Sequence, residues 1–515
     1  MREEKPGVEA DDPFRWLESD TEQTRAWMRE QSERTARQLL SVGEIGGVSV
    51  PSGPVYFLMR EGDRERHCLF SLDGERQPEP RVDPQNFSPQ AAIDWYYPSP
   101  SGRYLAFGVS LGGDERSVLR VLDSTRRELL PDRIEHAKWC SLCWLHDESG
   151  FYYTRYPRPS EPDYDADDPD KYHIAVFFHR LDEDPGLDTP VYRPPSKTDS
   201  PVPEVSDDDR WLVINNFRGW SASDVYLLDR GADPEGRAVA PDPGHPLLPV
   251  VEGESEVSSG VAHRGMLYLF TNLQAPRGRL AAVPLGQAGQ REAWQEVIAE
   301  SDAAIEQWVV AGDRIVIHYI EDIRSRLQVF DLDGTDRGQV ELPERGSLGS
   351  LDLHPSGNRL VFGWSSFFHP PALYLHEPAT GRTQSLFQVE HDIDPAAYRL
   401  EQVKIASADG TPVNVYFMYR GELERDANRP VLLYGYGGFK ISLLPAFNRS
   451  ALYWLERGGV YAVANLRGGG ELGEAWHRAG MLQHKIRVFR SFEEIIRWWA
   501  APGIIRPGRI AITGG

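Results

Sequence analysis

Short apolar runs separated by polar turns dominate the chain between about residues 50 and 395. Each run holds three to five aliphatic or aromatic residues, and the turn before it usually contains glycine. Seven such turns can be aligned at spacings of 45 to 59 residues, near Gly53, Gly102, Gly150, Asp209, Gly265, Gly312 and Gly357. Units of roughly 40–50 residues with four short strands are typical of propeller blades. The pattern predicts a seven-bladed β-propeller, and its regular spacing makes an array of β-sandwiches the weaker interpretation.

After residue 395 the pattern changes to strands and helices in alternation. A β-hairpin is predicted at 401–419, around Asp409-Gly410. Three apolar runs that end in glycine-containing turns follow, at Val431–Leu433, Val460–Leu466 and Ile510–Thr513. The clearest helix is predicted at Ser491–Ala500, with Ser491 as its N-cap and Glu494 completing a capping box. This order predicts one half of a doubly wound α/β sheet.

The changes of pattern divide the chain into three regions. Residues 1–45 form an N-terminal segment with a polar helix from about Glu22 to Leu40, which we expect to pack on another domain. Residues 46–395 form the propeller, and residues 396–515 form the half-built α/β domain. At 515 residues the chain is long enough for two or three such units.

Composition and charge narrow the range of partners. The formal net charge of −22 argues against nucleic-acid binding and against docking on anionic membranes. The N-terminus has no apolar signal region and no stretch is long enough to cross a bilayer, so a cytoplasmic protein is expected. Cys68, Cys140 and Cys143 are too few for a disulfide framework and are expected to be buried thiols.

The strongest local signal is the turn Tyr434–Phe439, which sets aromatic rings among three glycines at the end of an apolar strand. Glycine allows a sharp turn and a close approach to the backbone. Open α/β sheets bind ligands at the carboxyl ends of their parallel strands. These residues are therefore expected to face a ligand crevice.

Four other motifs have weaker functional interpretations. Gly468–Gly473 matches the dinucleotide pattern G-x-G-x-x-G, but the residues after it are a poor helix start, which disfavours a nucleotide site. His477 is expected to belong to a structural network rather than to catalysis. The acidic run 161–170 fits a solvated loop better than a calcium site. Cys140 and Cys143 lack a second pair for zinc, so no metal and no cofactor are predicted.

The last strand, Arg509–Thr513, runs into Gly514-Gly515. These residues match the start of a G-x-S-x-G nucleophile elbow, in which small flanking residues are sterically required. An ordinary strand–loop junction is the alternative interpretation.

Taken together, these stretches resemble the prolyl oligopeptidase family of serine peptidases over essentially the whole chain. The residues that carry the resemblance are 12–18, Tyr434–Phe439, Asn465–Glu471, Trp476-His477 and Thr513–Gly515. The resemblance implies a seven-bladed propeller that caps an α/β-hydrolase domain, with the N-terminal segment packed on the hydrolase. It implies cleavage of short peptides on the carboxyl side of proline by a monomer. It also implies that the Tyr436 hydroxyl forms half of the oxyanion hole, that Phe439 lines the proline pocket, and that Tyr152 lies beside the substrate.

The sequence also departs from the family pattern. In the family a nucleophilic serine follows the Gly-Gly pair, and the aspartate and histidine of the triad come later; these positions are not in the 515 residues. The chain by itself is therefore expected to be inactive and to fold poorly. Two alternatives stay open, namely a non-catalytic propeller that binds a partner, and a peptidase of the oligopeptidase B type that cuts after basic residues.

Overall fold

A computed structural model describes residues 21–38, 42–61, 66–74, 76–231, 247–423, 429–501 and 508–514, together with Trp16, Ser19 and Arg64. The predicted N-terminal motif 12–18, apart from Trp16, lies outside the described residues, and so does Gly515. The first element is a helix, α1 (Glu22–Gln38). The Trp16 ring lies edge-on against Trp27 of α1, with the ring centroids 5.9 Å apart.

Seven four-stranded antiparallel sheets follow, which confirms the predicted seven-bladed propeller. The first strands of neighbouring blades contact one another, so they line the axis of the ring. In chain order the blades are Glu44–Ser49, Val55–Arg60, Cys68–Leu72 and Glu79–Val82 (β1–β4); Ala91–Pro98, Tyr104–Leu111, Val118–Asp123 and Glu128–Ile134 (β5–β8); Leu142–Trp144, Gly150–Arg155, Ala175–Arg180 and Thr189–Tyr192 (β9–β12); Ser200–Val205, Trp211–Phe217, Ser223–Asp229 and Leu248–Val251 (β13–β16); Ser258–His263, Met266–Thr271, Arg279–Pro284 and Gln295–Ile298 (β17–β20); Ala304–Ala311, Arg314–Glu321, Arg324–Asp331 and Asp336–Val340 (β21–β24); and Ser347–Leu353, Leu360–Ser365, Ala372–Glu377 and Arg382–Gln388 (β25–β28).

The seven runs that reveal the repeat in the sequence are the second strands of the blades. These strands lie in the middle of each sheet and are covered on both faces by neighbouring blades, so most of their residues are buried. A strand covered on both faces reads as a continuous apolar run, whereas the outer strands carry polar residues. This difference explains why the second strands dominate the sequence pattern.

The ring closes between its first and its last blade without exchange of a strand. Strand β1 packs on β25 and β26, and the backbone N–H of Val50 donates to the Asp352 carboxylate over 2.6 Å. The chain enters and leaves the ring at this seam. A Cβ atom built on Gly43 would lie 2.9 Å from Cγ1 of Val389.

The C-terminal lobe contains a five-stranded sheet in the order β29-β30-β32-β31-β33. Its strands are Tyr398–Ala406 (β29), Pro412–Arg420 (β30), Val431–Gly435 (β31), Val460–Ala464 (β32) and Ile510–Thr513 (β33). The first two form the predicted hairpin, and the last three are parallel to one another. This arrangement confirms part of a doubly wound α/β-hydrolase sheet.

The described part of the C-terminal lobe also contains the helices α2 (Arg449–Glu456), α3 (Glu474–Arg478) and α4 (Ile486–Trp499). Helix α2 packs on β30 and β32, and α4 packs on β29. Helix α4 begins five residues before the predicted N-cap, so the capping box at Ser491 is wrong. Ser491 is fully buried inside the helix, where its hydroxyl donates to the Arg487 carbonyl over 2.7 Å. No helix in the described part of the chain has the length and the apolar character needed to traverse a lipid bilayer.

One face of the propeller carries the turns that contact the C-terminal lobe. These are the turns between the second and third strands of blades 4 to 7, which contribute Trp220, Pro276, Ile323 and Phe367. The connections that lead into the first strands lie on the same face, because each blade has an even number of strands. Side chains on this face therefore border the space between the two lobes.

Candidate active site

The predicted glycine turn lies where parallel strands end side by side. Tyr434 of β31 is in register with Thr513 of β33, and Gly435 is in register with Ala464 of β32. A Cβ atom on Gly514 would lie 3.0 Å from the Gly435 carbonyl oxygen. Tyr436 and Gly514 therefore share the carboxyl edge of the sheet, where α/β folds place their ligands.

Two glycine turns pack directly against each other at this edge. Gly437 has φ of 61°, and a Cβ atom there would come within 2.9 Å of Leu466 and of the Arg467 carbonyl. Gly468 has φ of 100°, and its Cβ atom would lie 2.5 Å from the Gly437 carbonyl oxygen. Both positions require glycine for conformation and for space. The second turn therefore serves as the rigid support of the first.

The buried guanidinium of Arg467 anchors these turns to the rest of the lobe. It donates to the Asp409 carboxylate over 2.5 Å and to the hydroxyls of Ser407 and Ser491 over 2.9 Å each. The hydrogen bond from Arg467 holds the pKa of Asp409 well below its usual range. Ser491 thus belongs to a network in which Asp409 supplies the negative charge that pairs with Arg467.

Glu471 and His477 brace the second turn from the other side. The buried Glu471 accepts hydrogen bonds from the Leu443 N–H and the Asn465 side chain, and burial raises its pKa. Nδ1 of the buried His477 lies 2.8 Å from the Gly468 carbonyl oxygen, to which it donates. His477 therefore belongs to the hydrogen-bond network that holds the second turn, as its sequence context predicts.

Tyr436 stands on the first turn with its ring half-buried. The ring centroid lies 6.2 Å from that of Phe439. The Tyr436 hydroxyl has no hydrogen-bond partner among the residues that the structure describes. Phe439 and Lys440 both adopt left-handed backbone conformations, with φ of 52° and 58°. Non-glycine residues held in this region mark a constrained segment, as is common at ligand sites.

The Phe439 ring is 55% exposed and points across the space between the lobes. Trp220, on the turn between β14 and β15 of blade 4, meets it edge-on with ring centroids 5.9 Å apart. A second exposed tryptophan, Trp139, precedes the first strand of blade 3 on the same face of the propeller and has φ of 50°. Sequence reasoning missed both tryptophans, although a tryptophan within a short polar turn, as in Arg218–Ser221, is the signal that could have identified Trp220.

Tyr152 does not lie at this site. It is fully buried on β10, in the apolar layer between blades 3 and 4, where its ring packs 5.0 Å from that of Phe178. The Arg230 guanidinium lies 5.3 Å from the ring centroid. A side chain in this position has no surface to offer a peptide, so the structure does not support the predicted substrate contact of Tyr152.

The described residues contain no group of three or more His, Cys, Asp or Glu side chains arranged to hold a metal ion. At this edge the described residues present a free phenol, exposed aromatic rings and backbone groups held by paired glycine turns.

Comparisons with known proteins agree with this architecture. Residues 53–389 match the family described as "Prolyl oligopeptidase, N-terminal beta-propeller domain", and residues 445–515 match "Prolyl oligopeptidase family". A prolyl endopeptidase of Elizabethkingia meningoseptica is 28% identical over 94% of this chain and 70% of its own length. One from Elizabethkingia miricola is 28% identical over 99% of this chain and 73% of its own length.

Solved structures give the same result. A structure from a study of two prolyl endopeptidases superposes with a TM-score of 0.84 at 30% identity, covering 98% of this chain and 76% of the other. Prolyl oligopeptidase B of Galerina marginata shares the fold, with a TM-score of 0.83 at 21% identity over 98% of this chain and 75% of the other. Fold and matches define a serine-type peptidase of the α/β-hydrolase class. The chain belongs to the prolyl oligopeptidase family.

Proposed function

We propose that this protein hydrolyses short proline-containing peptides on the carboxyl side of proline, and that the Tyr436 hydroxyl stabilises the oxyanion of the transition state. The observation that carries the proposal is an unpartnered phenol, fixed by paired glycine turns, at the edge where the strand ending in Thr513 also ends. Attack on a peptide carbonyl moves an electron pair onto its oxygen. A rigid donor placed there lowers the barrier because it needs no reorganisation when the charge develops.

The aromatic side chains next to Tyr436 support proline as the preferred residue. Phe439 and Trp220 present exposed rings to the space between the lobes, and a flat pyrrolidine ring fits an apolar aromatic wall. Two relatives that match over 94% and 99% of the chain are named prolyl endopeptidases. We also propose a monomer, since one chain brings both lobes together, acting in the cytoplasm, where its three free cysteines stay reduced.

The test is hydrolysis of a Gly-Pro chromogenic peptide by the full gene product, with residues 1–515 assayed beside it. Residues 1–515 alone are expected to give no turnover, because a phenol supplies neither a nucleophile nor a base. Tyr436→Phe, which removes only the hydroxyl, is expected to lower kcat by about 10²–10³-fold with little change in KM. Tyr374→Phe, a change in blade 7, is the matched control and should keep wild-type kinetics.

A Gly-Arg chromogenic peptide, assayed in parallel, separates proline specificity from cleavage after basic residues. Turnover of the Gly-Pro peptide that Tyr436→Phe leaves unchanged would remove the oxyanion role. Binding of peptides without any turnover by the full gene product would favour a non-catalytic propeller.

A further inference from the structure

Lys485 immediately precedes helix α4 and lies beside the first glycine turn, Tyr434–Phe439. Its ammonium group donates a hydrogen bond of 2.6 Å to the Gly437 carbonyl oxygen. The same ammonium lies 6.0 Å from the ring centroid of Phe489. Neither contact neutralises it, and no carboxylate pairs with Lys485 in the described part of the chain. The side chain is half-buried.

The ammonium is also close to the Tyr436 ring. A Cβ atom built on Gly438 would lie 3.4 Å from the Lys485 nitrogen and 3.9 Å from Cε1 of Tyr436, the ring carbon next to the one that bears the hydroxyl. The Lys485 nitrogen and Cε1 of Tyr436 are therefore no farther apart than the sum of these two distances. A side chain at position 438 would occupy the space between them.

An unpaired, half-buried ammonium is unfavourable in the resting protein, because burial disfavours a charge that lacks a counter-ion. A neutral donor would satisfy the Gly437 carbonyl equally well. The positive charge becomes favourable once a negative charge develops beside Tyr436, and interactions that strengthen only in the transition state are those that raise kcat. This difference distinguishes a charged role from simple capping of a carbonyl.

We infer that Lys485 is a positioning residue for the oxyanion hole: its hydrogen bond fixes the turn that carries Tyr436, and its charge favours the oxyanion that Tyr436 contacts. The inference rests on the proposed function of Tyr436. Lys485 itself touches the Gly437 carbonyl and not the reacting atoms.

Three substitutions in the full gene product separate the two parts of this role. Lys485→Arg keeps donor and charge, Lys485→Gln keeps a donor and loses the charge, and Lys485→Met loses both. We expect kcat for the Gly-Pro peptide to fall by about tenfold to a hundredfold in Lys485→Gln and further in Lys485→Met. The loss in Lys485→Gln should be smaller than in Tyr436→Phe, because the Lys485 charge acts on the oxyanion from a longer distance than the Tyr436 hydroxyl. Lys485→Arg should retain most of the activity, and KM should change little in all three. Lys404→Met, an exposed lysine on β29, is the matched control.

Two inhibitors provide a readout that a merely structural role would not change. A peptide aldehyde ending in prolinal forms an anionic tetrahedral adduct, whereas the matching peptide pyrrolidide has no scissile carbonyl. Lys485→Gln should weaken the aldehyde by about the same factor as kcat and leave the affinity for the pyrrolidide unchanged. Equal losses for the two inhibitors would show that the substitution only distorts the pocket, and this would overturn the inference.

Chemical rescue distinguishes a loss of activity caused by the missing charge from one caused by misfolding of the variant. Alkylation of Lys485→Cys with 2-bromoethylamine rebuilds an ammonium on a side chain of lysine length, while iodoacetamide gives a neutral chain. Recovery of kcat with the first reagent and not with the second is expected, and recovery with neither or with both would overturn the role of the charge.

If Tyr436→Phe lowers kcat and the Lys485 variants do not, the inference fails and the proposed function stands. If Tyr436→Phe has no effect either, the proposed function fails as well.

Discussion

At the scale of single residues, two buried histidines show how the propeller uses opposite electrostatic environments. Both ring nitrogens of the fully buried His179 lie 2.7–2.8 Å from the carboxylates of Asp188 and Asp132. Burial lowers the pKa of His179, but the two carboxylates outweigh it and raise the pKa to about 9. Among the described residues, His318 has Ser325 as its hydrogen-bond partner, and burial lowers the pKa of His318 to about 4. His179 is therefore charged and His318 neutral at pH 7.

These shifts predict opposite pH windows of stability. The contribution of His179 is fully present below pH 6.5, its unfolded pKa, and is lost as the pH rises through about 9. The contribution of His318 is present above pH 6.5 and is lost as the pH falls toward 4. Each shift corresponds to on the order of 3 kcal/mol. Calorimetry between pH 4 and 10 should show that His179→Gln loses the alkaline decrease in melting temperature and His318→Gln loses the acid one. A common pH profile for both variants would contradict this assignment.

The placement of some site residues could be predicted from the sequence, and that of others could not. The position of Tyr436 and Phe439 on a turn at the end of a strand could be predicted, because the glycines around them fix the turn and the neighbouring apolar run fixes the strand. Their roles toward a substrate stay predictions. Tyr152 could not be judged, because its apolar neighbours occur equally in an exposed aromatic cluster and in a strand buried between blades. Trp220 was missed since its relation to Phe439 spans two lobes, and nothing local to either residue encodes that contact.

At the scale of elements, the two glycine turns form one unit because each fills the space that a side chain of the other would need. We predict that Gly468→Ala costs about 2–4 kcal/mol of unfolding free energy, since it combines a strained φ with a clash against the Gly437 carbonyl. Gly410 has a similar positive φ of 79° but open space around it, so Gly410→Ala should cost only about 1 kcal/mol. Urea unfolding measures both values. Equal losses would show that the packing of the turns contributes nothing beyond backbone strain.

Strands could be predicted from the sequence where one face or both faces of the strand are buried. The second strands of the blades and the hairpin β29–β30 follow directly from apolar runs and from the turn at Asp409-Gly410. The start of α4 was placed too late, because Ser491 followed by Glu494 has the form of a capping box. In the folded protein the Ser491 hydroxyl instead bonds Arg467. A buried partner distant in the sequence thus overrides the local capping signal.

At the scale of the whole molecule, the buried carboxylate of Glu474 joins the two lobes directly. It lies 3.2 Å from the Lys440 ammonium and 2.9 Å from the Arg478 guanidinium. Its backbone N–H donates to the Pro276 carbonyl of blade 5 over 2.8 Å, and the Asn272 side chain donates to its carboxylate over 3.4 Å. The contact therefore depends both on backbone shape and on charge.

We predict that Glu474→Gln, which keeps the shape and removes the charge, loosens this contact. Amide hydrogen exchange in residues 271–278 and 470–478 should accelerate by about tenfold, equivalent to a loss of about 1.4 kcal/mol. Glu493→Gln removes an exposed carboxylate that pairs with Arg497 on its own helix, so it should leave exchange in both segments unchanged. Similar exchange in the two variants would mean that the charge of Glu474 does not hold the lobes together.

The seam of the ring has a mechanical consequence. The connection from the propeller to the C-terminal lobe leaves the ring at Val389, beside Gly43, so this covalent link lies at the seam. Blade 4 is diametrically opposite in the ring of seven. A small rotation of the propeller about the seam would therefore increase the distance between Trp220 and Phe439 more than the distances between residues near the seam. This aromatic contact would be the first to separate.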